Sequence, residues 1–181
     1  IIVKDIINKK VFEIKGKVVI NATGVFSDNI MRMDFPRKKK MIKPSQGVLL
    51  VLDQKFLKSR HAILIPHTSD GRVLFAVPWN NHVVLGTTDT PLSEIKDEPI
   101  PLKEEVNFIL KNAQNFMTEK PKINDIKSVF AGLRPLAAES NKKNTKEISR
   151  HHKISVSESG LLSILGGKWT TYRKIAEDAI N

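Results

Sequence analysis

The sequence of 181 residues contains no cysteine. That absence excludes a disulfide framework, thiolate zinc sites, iron–sulfur ligation and cysteine nucleophiles together. Its five histidines are scattered. The one adjacent pair, His151-His152, has no carboxylates at ligand spacing, so the surface-loop reading is favoured and no metal site is expected. Long apolar runs are missing too. None approaches the roughly 20 residues that a spanning helix needs, and no signal peptide with a small-residue cleavage site opens the sequence. On these grounds the expectation is a soluble, cytoplasmic protein.

Positive charge is abundant: 30 Lys+Arg stand against 19 Asp+Glu, a formal net charge of +11. Residues 1–90 carry 15 basic and 7 acidic side chains, and residues 91–181 carry 15 and 12, so the excess lies in the first half. Its densest stretch is Arg32, Arg37, Lys38, Lys39, Lys40 and Lys43, interrupted by Asp34. No aromatic residue interleaves with these lysines as a base-stacking platform requires, so a nucleic-acid partner is not expected. A solvated loop is the simplest reading, and an anionic lipid surface is the alternative. With 40% hydrophobic residues the chain is long enough to bury the core of one domain or two small ones. It begins at Ile1, inside what reads as a strand, which suggests an internal segment of a longer protein.

Val11 to Ile14 alternates, and Val18-Val19-Ile20 is an unalternating β-branched run of the kind found in strands buried on both faces. Asn21-Ala22-Thr23-Gly24 then turns into a short helix expected over Val25–Met31. Strand-like runs follow at Val48–Leu52, Ala62–Ile65, Val73–Val77 and Val83–Leu85, with Asp70-Gly71 as a hairpin signal and Pro78 at an edge or bulge. Short spacing between sequential strands predicts an antiparallel sheet. After Pro101, the residues Leu102, Val106, Ile109, Leu110, Ala113 and Phe116 form one helical stripe, with Glu104 and Glu105 in its first turn and Pro121 closing the segment. Asn141–Lys146 reads as an exposed loop. Lys153–Val156 and Leu161–Leu165 read as strands joined at Glu158-Ser159-Gly160, and Trp169–Ile180 reads as a helix after Gly166-Gly167. Strand-glycine-helix units thus bracket an antiparallel sheet, which makes the fold mixed α/β.

Four segments are candidates to carry chemistry. In Leu161 to Arg173, two glycines between a strand and a helix let backbone approach a ligand, while Lys168 adds a cation and Thr170 and Thr171 add hydroxyls. Such a site suits a phosphate or an electron-rich ring edge, and a plain tight turn explains the residues equally well. Phe130 to Leu136 embeds Arg134 in an apolar segment, where its guanidinium needs an anion: a ligand carboxylate or phosphate, or a structural salt bridge. Arg150-His151-His152 is a second basic site. Gly86-Thr87-Thr88-Asp89-Thr90-Pro91 is either a turn that contacts a ligand or a plain strand end, with spacing favouring the latter.

Taken in order, these segments resemble the FAD-dependent glycerol-3-phosphate dehydrogenases, bacterial and mitochondrial. The residues that carry the resemblance are Val18–Gly24 with Asp28, Pro44-Ser45 with Gly47, and Ser69–Val73 with Pro78-Trp79. They continue through Gly86–Pro91, Gly132–Leu136, Ile148-Ser149-Arg150 with His152, Ser157–Gly160, and Gly166–Arg173 with Ala176-Glu177. The Gly-Leu-Arg-Pro element alone is shared with D-amino-acid oxidase and its relatives. The resemblance implies oxidation of sn-glycerol 3-phosphate to dihydroxyacetone phosphate by hydride transfer to FAD, with electrons passing to quinone. A glycerophosphate oxidase that uses oxygen is the alternative within enzymes, and a basic nucleic-acid or lipid-surface module is the alternative outside them.

In that family picture Arg134 and Lys168 act in catalysis, and Arg134, Arg150 and His152 contact substrate. Thr23, Gly24, Gly166, Gly167, Lys168, Trp169 and Thr170 line the cofactor. The implied division is residues 1–31 and 157–181 as pieces of a Rossmann-like FAD-binding domain, with 40–156 as the substrate-binding cap. Two departures stand out. Where many members of the family carry a histidine two residues after the glycine matching Gly47, this sequence has Leu49, which leaves the general base open unless His67 or His152 reaches the same space. The Gly-x-Gly-x-x-Gly fingerprint that holds the FAD pyrophosphate is absent from the sequence, as is the family's C-terminal helical domain. The resemblance therefore implies that FAD is held mostly by a segment outside these residues, and that the 181 residues alone neither bind it tightly nor turn over. Incompletely covered strand faces would favour self-association, and a peripheral contact with the inner face of the cell membrane stays open.

Overall fold

The computed structural model describes residues 1–117, 119–138 and 151–181, so Arg150 and the loop expected at Asn141–Lys146 lie outside the described residues. A six-stranded antiparallel sheet occupies the middle of the chain. Its spine is β4 (Ile42–Asp53), 12 residues long. We number the other strands in chain order. They are β1 (Ile2–Lys4), β2 (Val11–Glu13), β3 (Val19–Asn21), β5 (Ile63–Ile65), β6 (Leu74–Trp79), β7 (His82–Gly86), β8 (Thr90–Pro91), β9 (Ser128–Ala137), β10 (His152–Val156) and β11 (Leu161–Gly166). One edge of β4 pairs with β9 from Ile42 to Val51. The other edge pairs with β7 and, nearer its start, with β8, while β6 and β5 extend the sheet beyond β7.

Period-two alternation sends Val48, Leu50 and Leu52 to one face, where they pack with Ile65, Leu74, Ala76, Val83 and Leu85. Helix α2 (Lys103–Ala113) covers this face with Ile109, Leu110 and Ala113. The expected stripe ends one residue differently: Phe116 is exposed and Met117 is buried, because the helix stops at Ala113 and its period lapses there. Asp70-Gly71 forms the β5–β6 connection, with Gly71 at φ +79°. Pro78 pairs with Val83 beyond the reach of β5, which stops opposite Ala76, so its missing N–H faces no strand.

Strand β4 starts six residues before the Val48 expected from the sequence, and β9 was not expected as a strand at all. Prolines hid both. Pro44 and Pro135 face each other across the ladder, and the Pro44 carbonyl turns the other way to accept from Leu92 N at 3.0 Å. Neither ring therefore removes a hydrogen bond that the β4–β9 pair needs.

The second sheet is three-stranded, in the order β10-β11-β3, with β11 and β3 parallel. The division expected at residue 156 therefore falls between two strands that the structure pairs, β10 and β11. Short 3-10 turns at Gly24–Phe26 and Trp169–Thr171 lead into α1 (Ser27–Asp34) and α3 (Tyr172–Ile180). Val18 and Ile20, expected to be buried on both faces, are 61% and 50% exposed, because among the described residues β3 has a strand neighbour on one side only. Leu161 and Leu165 of β11 are by contrast buried, and Leu165 packs with Met31, Ile42 and Ala137 where the two sheets meet. The Asp28 carboxylate accepts from Met41 N and Ile42 N at 2.9 and 3.1 Å, tying α1 to the start of β4 across the basic stretch. No helix among the described residues is long and apolar enough to cross a membrane.

Candidate active site

The parallel pair organises one side of the site. Asn21 stands opposite Ser163 in register, and the buried Asn21 side chain donates to Ser163 Oγ at 3.2 Å and to Ser27 O at 3.0 Å while accepting from Thr23 Oγ1 at 2.7 Å. Three residues beyond that register point each strand reaches a left-handed glycine, Gly24 at φ +61° and Gly166 at φ +73°. Both chains therefore turn away at the same level. A Cβ on Gly166 would sit 2.8 Å from His151 O, so space as well as φ demands glycine there. Carboxyl ends of adjacent parallel strands that lead into helices are where α/β sheets receive nucleotide cofactors. At this lip Lys168, Trp169 and Thr170 are exposed, and the Trp169 ring, 86% exposed, stacks on Tyr172 at 5.7 Å between centroids.

The antiparallel sheet supplies the other side. The end of β9 meets this lip, with Ala137 against Gly166, and the Gly24–Phe26 turn packs on β9. Arg134 lies three residues before Ala137. The structure thus gathers Thr23-Gly24, Gly166–Thr170 and the strand that carries Arg134. Arg134 is paired with Ser45, and Gly132 with Gly47. Its guanidinium folds across Gly47: a Cβ there would collide with Cζ and both Nη atoms. Nη1 donates to Ser45 Oγ and Asp89 Oδ1, each at 3.4 Å, and Nη2 donates to Thr87 Oγ1 at 3.2 Å and Thr88 O at 3.0 Å. Ser45 Oγ in turn donates to Asp89 Oδ1 at 2.5 Å.

The Thr87–Thr90 stretch reads in two directions. Thr87 and Asp89 turn to Arg134, while Thr88 and Thr90 turn to Glu105 of α2. Glu105 is 4% exposed. It accepts from Thr88 Oγ1 at 2.8 Å, Thr90 Oγ1 at 2.6 Å, Gln46 Nε2 at 2.7 Å and Leu102 N at 3.0 Å. Burial pushes its carboxyl up, but the bonds from Thr90, the Leu102 amide, Thr88 and Gln46 outweigh burial and hold it below the usual carboxylate range. A folded-state value below the unfolded one gives stability that is complete above the unfolded value and is lost as pH falls through the folded one. We therefore expect the urea midpoint of the full-length protein to hold down to about pH 5 and to drop as pH falls below about 4.5, and to drop less in Glu105→Gln. An equal drop in both proteins would show that Glu105 is not the titrating group.

Of the other residues singled out in the sequence, His152 pairs with Gly166 at this lip, Leu49 lies on β4 and His67 beyond β5. His152 Nε2 sits 2.9 Å from Asp178 Oδ2 on α3, and Asp178 holds Lys174 at 2.8 Å. Leu49 packs on Gly86, where a Cβ would meet its Cδ2 at 2.9 Å, and His67 is exposed beyond β5. Among the described residues no three His, Asp or Glu gather as a metal site. A cleft of about 280 Å³ lined by Gln46, Leu92, Ile100 and Leu133 opens on the face of the β4–β9 pair opposite Arg134. Ser45, Gly47 and Asp89 were missed as neighbours of Arg134.

Parallel strand ends open to a nucleotide, set against a sheet that presents a clamped arginine, are the arrangement of a flavoprotein oxidoreductase. The chain belongs to the DAO family of FAD dependent oxidoreductases, whose pattern matches residues 2–173. Within that family it is similar to mitochondrial glycerol-3-phosphate dehydrogenases. It is 42% identical to the cattle (Bos taurus) protein and 41% to the human (Homo sapiens) one, each over 180 residues, covering 98% of this chain and 25% of the relative. The chain thus spans about a quarter of the length of these curated relatives. The solved glycerol-3-phosphate dehydrogenase from Bacillus halodurans, complexed with FAD, superposes with a TM-score of 0.82 at 36% identity, covering 99% of this chain and 34% of that one. Iminodiacetate oxidase from Chelativorans sp. BNC1 shares the fold, with a TM-score of 0.56 at 15% identity over 95% of this chain and 42% of its own.

Proposed function

We propose that these residues form the substrate-facing sheet and one wall of the cofactor cleft in an enzyme that oxidises sn-glycerol 3-phosphate to dihydroxyacetone phosphate. The observation that carries this reading is the meeting of the two glycine-ended parallel strands with the strand of Arg134. The residues fit FAD: Gly24, Gly166 and Gly167 all take positive φ, and at Gly166 and Gly167 a side chain would collide with its neighbours. FAD, when bound, supplies the acceptor for two electrons and the C2 hydrogen.

This chain's own residues do the rest. Thr23, Gly24, Gly166, Gly167, Trp169 and Thr170 line the cofactor's side of the cleft. As the C2 hydroxyl gives up its proton, the Arg134 guanidinium stabilises the negative charge that gathers on that oxygen before the C2–H bond breaks. Lys168 places a cation at the lip, for the phosphate or for charge gathered on the cofactor. Arg150 and His152 stand as further substrate contacts on the family resemblance, with His152 oriented by Asp178. Leu49 has no basic atom, so the C2 hydroxyl proton leaves by another route than residue 49. The electrons pass to a membrane quinone, and the cations at Arg37–Lys40 offer the enzyme an electrostatic contact with an anionic membrane surface.

Anaerobic single turnover tests the proposal. Glycerol 3-phosphate is expected to bleach the visible flavin absorbance of the intact enzyme, and glycerol at the same concentration is not. No bleaching by glycerol 3-phosphate would overturn the substrate assignment. Reoxidation faster by oxygen than by a soluble quinone would make the enzyme an oxidase.

A further inference from the structure

We propose that Asp89 and Ser45 are positioning residues for Arg134, with Gly47 as the floor on which its guanidinium lies. The inference rests on the reading of Arg134 as the arginine that meets substrate. An arginine side chain on an exposed sheet face has many rotamers, and a catalytic guanidinium is useful in few of them. Here three features remove that freedom. Asp89 Oδ1 and Ser45 Oγ hold Nη1, while Thr87 Oγ1 and the Thr88 carbonyl hold Nη2. Ser45 is itself fully buried and bonded to Asp89, so the carboxylate cannot swing away without breaking that bond. Gly47 lets the planar group lie flat on the strand, since a methyl there would occupy the place of Cζ and both Nη atoms.

The set is assembled from distant parts of the chain. Ser45 and Gly47 come from β4, Asp89 from the segment before β8, and Arg134 from β9. Only the register of β4 with its two neighbours brings them together. The carboxylate also balances the guanidinium charge, which offsets the desolvation of a partly buried arginine. Asp89 thus trades field strength for orientation. Its loss would leave the site more positive but less ordered.

That trade gives the proposal a signature that general damage to the fold lacks. In the intact holoenzyme, Asp89→Asn is expected to lower kcat for glycerol 3-phosphate by about 10–100-fold, with FAD content unchanged and KM unchanged or lower. Ser45→Ala is expected to shift in the same direction by less. Gly47→Ala displaces the guanidinium without touching Asp89 and is expected to match the kcat loss of Asp89→Asn. Chemical rescue adds an independent measurement: guanidinium ion restores part of the activity of Arg134→Ala and none in Arg134→Ala/Asp89→Ala, where its anchor is gone.

If Asp89→Asn and Gly47→Ala both keep kcat within about twofold while Arg134→Ala is severely impaired, the clamp is wrong and the arginine's role stands. Equal rescue in the single and double variants also overturns it. If Arg134→Ala is itself harmless, the proposed site falls rather than the clamp alone.

Discussion

Arg134→Ala is expected to lower kcat/KM for glycerol 3-phosphate by about 10²–10³-fold, the loss typical when one preorganised donor to a developing oxyanion is removed. FAD content should not change, because Arg134 lies on the antiparallel sheet and the glycine-ended strands do not depend on it. The loss should fall mainly on kcat if the guanidinium acts on charge that appears only in the transition state. Arg134→Lys should recover little. A lysine ammonium is a point charge that cannot reach Ser45, Asp89 and Thr87 from two nitrogens at once. Steady-state kinetics on flavin-normalised enzyme decide the matter, and wild-type kcat/KM in Arg134→Ala would remove this residue from the site.

Glu105→Ala should produce the largest loss of stability. The substitution strips the acceptor from Thr88, Thr90, Gln46 and the Leu102 amide, of which Thr88 and Gln46 are buried. Leaving buried donors unsatisfied costs about 1–3 kcal/mol each, so a destabilisation of about 3 kcal/mol is expected even after partial rearrangement. Glu105→Gln keeps the volume and one acceptor oxygen and should lose less than half as much. Thermal unfolding of the intact enzyme measures both. The alanine variant should also lose activity, because Thr88 and Thr90 anchor the segment whose alternate residues, Thr87 and Asp89, hold Arg134. A Glu105→Ala enzyme with wild-type melting temperature would show that the network carries no net stability.

Much of this architecture was legible from local pattern. The β5–β6 hairpin, the apolar stripe of α2 and the strand-glycine-helix units at both ends follow from periodicity and from positive-φ residues, which are properties of neighbouring residues. What was not legible depends on pairing between distant segments. Pro44, Gly47, Gly132 and Pro135 interrupt the apolar alternation of β4 and β9, and these same residues are tolerated because of how the two strands face each other. Ser45 and Asp89 carry no local signal that they hold an arginine. Their partnership exists only once the β4–β9 and β4–β8 registers are set. Val18 to Ile20 failed in the opposite way: a β-branched run reports strand preference, but the number of neighbours a strand has is decided elsewhere.

The hydrogen bond between Asn21 and Ser163 spans 142 residues of chain. Closing so long a loop through a disordered chain is entropically unfavourable, though the penalty rises only with the logarithm of loop length. A folded intervening sheet changes the problem, because Ile42 and Ala137 already sit side by side and both pack against Leu165 of β11. The edge proposed for the cofactor is therefore a clasp whose halves are brought together by the antiparallel sheet. Because its halves are so far apart in sequence, it is expected to form after that sheet and to open when the sheet unfolds.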